Sequence, residues 1–243
     1  MSKFIIITGG SRGIGLAITK LFLQNSYSVV YTYIKNNDAY EELDSIAKTN
    51  NAECISYKLD VSDPIEVSGF YNWFCAKNFE IVGLVNNAGI AKDGIFVNMS
   101  DENWDEVIKV NLYGTFYMCR EFSKIMMLQG KGFIINIAST TGLTGSKGAA
   151  NYAASKGGMI ALSKSIGMEL ARFGIRVNVV APGFIQTDMI SGLSSKKIES
   201  IKKNLMMNRL GEPDEVAELV LFLAKGKHFF QNSVLETDGG KII

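Results

Sequence analysis

Short apolar runs alternate along the chain with longer segments in which apolar residues recur at helical spacing. Residues 4–7, 27–33, 53–59, 81–85, 132–138, 175–180 and 233–236 form the runs and predict strands. Residues 13–24, 38–48, 63–77, 101–128, 152–173 and 214–224 carry the helical pattern. Strict alternation of the two patterns predicts an α/β fold: a doubly wound, Rossmann-like parallel sheet of about seven strands with helices on both faces. Strands that are apolar almost throughout suit burial on both sides. Only three prolines occur, and no linker-like stretch or internal repeat appears, so residues 1–243 read as one domain.

Composition narrows the class without naming a function. A chain of 243 residues, 47% hydrophobic and 20% charged, has the balance of a globular protein with a sizeable core. The formal net charge of +1 gives no sign of a nucleic-acid partner or an acidic solvating tail. Cys54, Cys75 and Cys119 are odd in number and widely spaced, which predicts buried free thiols in a reducing compartment. The apolar run at Phe4 is too short for a signal sequence, and nothing approaches the ~18 apolar residues of a membrane span. A cytoplasmic location is expected. His228 is the only histidine, no acid or cysteine groups around it, and it is expected at the surface with no metal site.

The first strand runs into Thr8-Gly-Gly-Ser-Arg-Gly-Ile-Gly15, which opens the first helix. Glycine at positions 9, 13 and 15 permits a tight turn and close backbone approach to a ligand. Ser11, Arg12 and Ile14 fill the turn between them. The helix start beyond offers unpaired N–H groups and positive partial charge, which suit a pyrophosphate. After the second strand no acid precedes Asp38, whereas an acid there would bind ribose hydroxyls and repel a 2′-phosphate. Lys35 lies in that stretch and Arg12 in the turn, so the expected cofactor is NADPH/NADP+.

Tyr152 and Lys156 lie one turn apart on a predicted helix, with Ser139 just after the fifth strand. A phenol ionises near pH ~10, and a neighbouring ammonium favours the phenolate. Such a tyrosine can exchange a proton with a reacting oxygen, and a serine hydroxyl can bond the same oxygen. The trio suits interconversion of a carbonyl and an alcohol.

With the glycine turn, Asn86-Asn-Ala-Gly89, Asn111, Ser139, Tyr152-x-x-x-Lys156 and Pro182-Gly183 in order, the chain resembles the short-chain dehydrogenase/reductase family over essentially its whole length. Within it the chain looks most like the 3-oxoacyl-[acyl-carrier-protein] reductases. The resemblance implies that Tyr152 gives the proton, that Lys156 lowers the tyrosine pKa and binds the nicotinamide ribose, and that Ser139 orients the carbonyl. It implies that Asn111 holds a water leading from Lys156 to bulk solvent. It places Asp60 and Val61 at the adenine, and Asn87, Ala88 and Gly89 along the adenosine. It places Pro182, Gly183, Ile185 and Thr187 at the nicotinamide. It also implies a homotetramer in which residues 101–128 and 152–173 pack between subunits, with Ala161 and Gly167 permitting close approach.

The segment around 185–210 is expected to cover the substrate with Met189, Ile190, Leu193, Ile201, Leu205, Met206 and Met207. Basic residues that would receive an acidic carrier protein are expected at the site mouth, and the corresponding stretches hold only Lys131 and Arg172. Gln231 and Asn232 stand where the family usually has Ile-Thr-Gly. The expected reaction is NADPH-dependent reduction of a 3-oxoacyl thioester, carried on acyl carrier protein. The alternatives are a reductase of a free ketone, sugar, steroid or polyketide intermediate, and a dinucleotide-binding scaffold without catalysis.

Overall fold

The computed structural model describes residues 2–192, 194–226 and 229–240, apart from the side chains of Met189 and Ser191. The expectations for His228 and Leu193, and for the side chain of Met189, therefore fall outside the described residues. The strands are β1 (Lys3–Ile7), β2 (Ser28–Tyr33), β3 (Cys54–Lys58), β4 (Glu80–Asn86), β5 (Gly132–Ile137), β6 (Ile175–Pro182) and β7 (Val234–Thr237). They form one parallel sheet in the order β3-β2-β1-β4-β5-β6-β7. The α/β fold expected from the alternation of patterns is the fold observed.

The helices are α1 (Gly13–Gln24), α2 (Tyr40–Thr49), α3 (Pro64–Ala76), α4 (Asp101–Ile108) and α5 (Gly114–Gln129), then α6 (Thr141–Thr144) and α7 (Ala150–Leu170), and finally α8 (Asp188–Ser191), α9 (Ser195–Lys203) and α10 (Pro213–Ala224). Side chains in a strand point alternately to opposite faces, and β1 shows why its residues are apolar without a break. Ile5 and Ile7 enter a core with Phe22 of α1, Leu43 of α2 and Val220 of α10. Phe4 and Ile6 enter the other core with Phe70 of α3 and Phe122 of α5. Local chemistry sets the helix starts. Asp63 accepts from the N–H groups of Ile65 and Glu66 ahead of Pro64, and Glu212 forms a reciprocal box with Glu215 ahead of α10. Among the described residues no helix is long and apolar enough to cross a membrane.

Three features depart from the pattern. The helix expected over 101–128 is interrupted by a π-helical turn at Lys109–Tyr113. The wider turn accompanies the complete burial of Asn111, whose side chain is bonded to the loop after β4. Two helices, α8 and α9, form in the segment expected only to cover substrate. Finally, Cys54 and Cys119 are buried free thiols, and burial pushes both up to about 12, but Cys75 is exposed.

Candidate active site

The parallel sheet reverses its winding between β1 and β4, and loops leaving the carboxyl ends of those strands open a crevice there. The glycine turn lies on one side. Gly9 and Gly13 have φ of +64° and +52°, in the left-handed region that favours glycine. A Cβ on Gly15 would stand 2.1 Å from the Gly9 carbonyl oxygen. The Asn87 side-chain amide donates to the carbonyls of Thr8 (3.1 Å) and Gly9 (3.0 Å), while the Thr8 hydroxyl accepts from the N–H groups of Asn87 and Ala88. The Gly10 N–H donates to the Thr32 carbonyl on β2. The turn is thus fixed from two neighbouring strands. These glycines leave a cradle that a Cβ would fill, at the start of a helix with no acid in its first turn, and such a cradle fits a dinucleotide pyrophosphate.

Arg12 and Lys35 are exposed beside this turn, and neither forms an ion pair among the described residues. A cleft of about 540 Å³ opens beyond the carboxyl ends of β2 and β3, lined by Ile34, Tyr57, Leu59 and Asp60 among others. One oxygen of Asp60 accepts from the N–H and hydroxyl of Ser62. Val61 packs its side chain on Gly114, so its backbone is what remains to meet a ligand.

The proposed reacting groups stand on the other side. Ser139 follows β5, and its hydroxyl lies 3.4 Å from the Pro182 carbonyl at the end of β6. The same hydroxyl also accepts from the Thr141 N–H, and it stands near enough to the Tyr152 phenol to act against the rise in the phenol's pKa. Tyr152 sits in the first turn of α7, where Asn151 fixes the helix start. The Asn151 amide donates to the carbonyls of Lys92 (3.0 Å) and Asn103 (3.2 Å), and its oxygen accepts from the Tyr152 N–H. Lys156 is 3% exposed, and its ammonium donates to the Ile137 carbonyl at 2.7 Å and lies 5.7 Å from the centre of the Tyr152 ring. The Asn111 side chain holds Ile90 through both N–H and carbonyl and donates to Ser155 at 3.0 Å. A Cβ on Gly89 would stand 3.2 Å from the Asn111 oxygen and 3.5 Å from the Lys156 nitrogen. Gly89, Asn111, Lys156 and Tyr152 therefore converge.

The electrostatics differ from the sequence expectation. Burial raises the Tyr152 pKa, the nearby Ser139 hydroxyl opposes this, and the charge of Asp93 adds to the rise. Lys156 is pushed down to about 7 by burial, and it is not among the groups that shift the Tyr152 phenol. Asn151 and Thr8, which position the tyrosine and the turn, were not singled out by the sequence reading. Their signal was present, a threonine opening the glycine turn and an asparagine directly before the tyrosine, but both are ordinary turn-forming residues out of context.

Ile185 and Thr187 come to the same crevice, Thr187 lying 3.4 Å from where a Cβ of Gly13 would be. Gly183 is tied to Thr237, and Gln186 to Gly211. Lys131 and Arg172 do not reach the mouth within the chain. They precede β5 and β6 and so lie at the amino edge of the sheet, opposite Ser139. Lys131 is paired with Glu80 at 2.8 Å, and Arg172 stacks on Phe173.

A parallel sheet with a glycine turn after its first central strand and a Ser–Tyr–Lys group at the same edge defines the class of dinucleotide-dependent oxidoreductases. Comparison with known proteins agrees. Residues 9–241 match the family described as Enoyl-(Acyl carrier protein) reductase. The chain is 39% identical over 245 residues to the 3-oxoacyl-[acyl-carrier-protein] reductase FabG of Thermotoga maritima, covering 99% of this chain and 98% of that one. It is 39% identical to the FabG of Chlamydia pneumoniae, with 99% and 97% covered, and 35% identical to the FabG of Staphylococcus aureus, with 99% and 98% covered. The chain belongs to the short-chain dehydrogenase/reductase family and is an oxidoreductase.

Proposed function

We propose that the protein reduces a 3-oxoacyl thioester, carried on acyl carrier protein, to the 3-hydroxyacyl form with NADPH. The observation that carries this reading is the Ser139–Tyr152 hydroxyl pair with Lys156 buried beside it, next to a cradle shaped for a dinucleotide. Curated relatives of nearly the same length are named for this reaction.

Burial keeps the Tyr152 phenol protonated at neutral pH, which is the state a proton donor to a carbonyl requires. When bound, the nicotinamide supplies the hydride. Tyr152 and Ser139 both present hydroxyl hydrogens to the oxygen on which charge builds, and fixed donors stabilise that charge without reorganising. Lys156, titrating near neutrality, binds the ribose hydroxyls and returns a proton to the phenol by way of solvent held near Asn111. Arg12, assisted by Lys35, pairs with the 2′-phosphate. Ser11, Ile14, Asn87, Ala88 and Gly89 line the dinucleotide, Asp60 and Val61 meet the adenine, and Pro182, Gly183, Ile185 and Thr187 meet the nicotinamide.

Residues 1–243 act as one domain, with the apolar side chains of 185–210 covering the acyl chain, and the protein works in the cytoplasm. It assembles as a homotetramer through the exposed aromatic side chains of Tyr113, at the end of the π-helical turn, and Phe116 on α5. Gly167 takes no part in that packing, because it is buried within its own chain. Incubation with NADPH and acetoacetyl-carrier protein tests the reading through absorbance at the reduced-nicotinamide band. Oxidation of NADPH supports it, activity confined to free ketones replaces the substrate, and cofactor binding without turnover removes the catalytic reading.

A further inference from the structure

We infer that the outer face of α9 is the docking surface for the acidic carrier protein that delivers the thioester. This rests on the reductase reading above and adds the place where the carrier binds. The sequence Ser-Lys-Lys-Ile-Glu-Ser-Ile-Lys-Lys of α9 holds four lysines and one glutamate. Ile198 and Ile201 turn inward and pack with Ile190, Leu205 and Leu210. Lys202 pairs with Glu199 at 3.1 Å. Lys196, Lys197 and Lys203 are exposed and form no ion pair among the described residues. Lys196 and Lys203 lie two turns apart, on one face.

The charge is local. The whole chain carries a formal net charge of only +1, so this helix is a positive patch on a nearly neutral molecule. Two of the lysines stand in the first turn, where the helix dipole disfavours cations, while α2, α4 and α10 carry acids there. The Ser194 hydroxyl caps that turn by accepting from the Lys197 N–H, while the lysine side chains themselves stay exposed and open to an external anion.

The location fits delivery of a substrate. The segment holding α9 leaves the carboxyl end of β6 just beyond Pro182, whose carbonyl faces the Ser139 hydroxyl. It returns to the same edge where the N–H groups of Met206 and Met207 donate to Gly240 and Gly239. Met206 and Met207 are exposed there, adding adaptable apolar surface at that edge. Lys131 and Arg172, at the opposite edge, cannot serve this crevice within one chain. An acidic protein carrying an acyl arm matches a cationic helix beside the mouth, with encounter steered by opposite charge.

The test compares two substrates on the triple variant Lys196→Glu/Lys197→Glu/Lys203→Glu. One is acetoacetyl-carrier protein, and the other is the neutral acetoacetyl-N-acetylcysteamine thioester. The variant is expected to raise KM for the carrier-borne substrate about tenfold or more, while kcat/KM for the neutral thioester stays within about twofold. The parent KM for the carrier-borne substrate is expected to rise with ionic strength, and that for the neutral thioester is not. Activity on the neutral thioester reports folding. A variant with unchanged KM for the carrier, or with both substrates affected equally, overturns the surface. So does a carrier-specific loss in Lys131→Glu/Arg172→Glu that the α9 variant lacks. A parent inactive on both thioesters overturns the reductase reading itself, an outcome distinct from these.

Discussion

The side-chain oxygen of Asn232 occupies the place where Gly167 would carry a side chain: a Cβ there would stand 2.1 Å from it. Asn232 adopts φ +60°, as asparagine tolerates, and its amide donates to the Lys164 carbonyl on α7. Beside it, Gln231 accepts from the Val177 N–H at the start of β6 and donates to the Gly167 carbonyl at 2.7 Å. The two residues that depart from the family pattern thus join α7, which bears Tyr152 and Lys156, to the strand that ends at Pro182.

Gly167→Ala is expected to destabilise the protein by about 2 kcal/mol or more through overpacking. Asn232→Gly removes the obstructing oxygen, so the double variant should recover part of that loss. Urea denaturation of the four proteins measures the coupling. Simple additivity would show that the contact is not shared.

Tyr152→Phe removes the proposed proton donor and leaves the ring. Turnover is expected to fall ~10²- to 10⁴-fold. NADPH binding, followed by fluorescence, should be retained, since the glycine turn is held by Thr8, Thr32 and Asn87.

Lys156 links stability to pH. Its folded pKa of about 7 lies below the ordinary value of 10.5, because burial penalises the charged form. Between those values the unfolded chain binds the proton more than the folded one, so this group's contribution to stability rises with pH from about 7 towards 10.5. Below about 7 the full penalty applies. Lys156→Met should flatten the rise while abolishing activity, and denaturation at a series of pH values without cofactor reads it. An unaltered pH slope in the variant would contradict the assignment.

Arg12→Ala should lower the preference for NADPH over NADH about tenfold to hundredfold, the worth of charge-assisted bonds to a phosphate. The ratio of kcat/KM for the two cofactors measures this. An unchanged ratio would return the discrimination to Lys35 or to the cleft beside Asp60.

Much of the architecture was legible because it is written at short range. The run Phe4–Ile7 has to be apolar at every position when both faces of β1 are covered, and that pattern needs no partner to be read. The spacing of Tyr152 and Lys156 likewise needs only a helix. The single helix expected over 101–128 misled, because the π-helical turn at Asn111 accompanies bonds to Ile90 that local periodicity does not report. Lys131 and Arg172 misled for a different reason. Distance along the sequence to the catalytic strands is short, but a parallel strand separates its two ends by its whole length, and these residues precede their strands.

By itself the sequence determined the order of strands and helices, the glycine turn and the candidate reacting side chains. These follow from periodicity and from residue chemistry within a few positions. Only the tertiary structure decided in which direction the Tyr152 pKa moves, because burial is produced by residues far away in the chain. It also decided that Gln231 and Asn232 brace α7, and that the chain after α9 returns to the carboxyl edge of the sheet at Gly239 and Gly240. Those relationships are distances across the fold, and they exist only once non-local packing has brought the segments together.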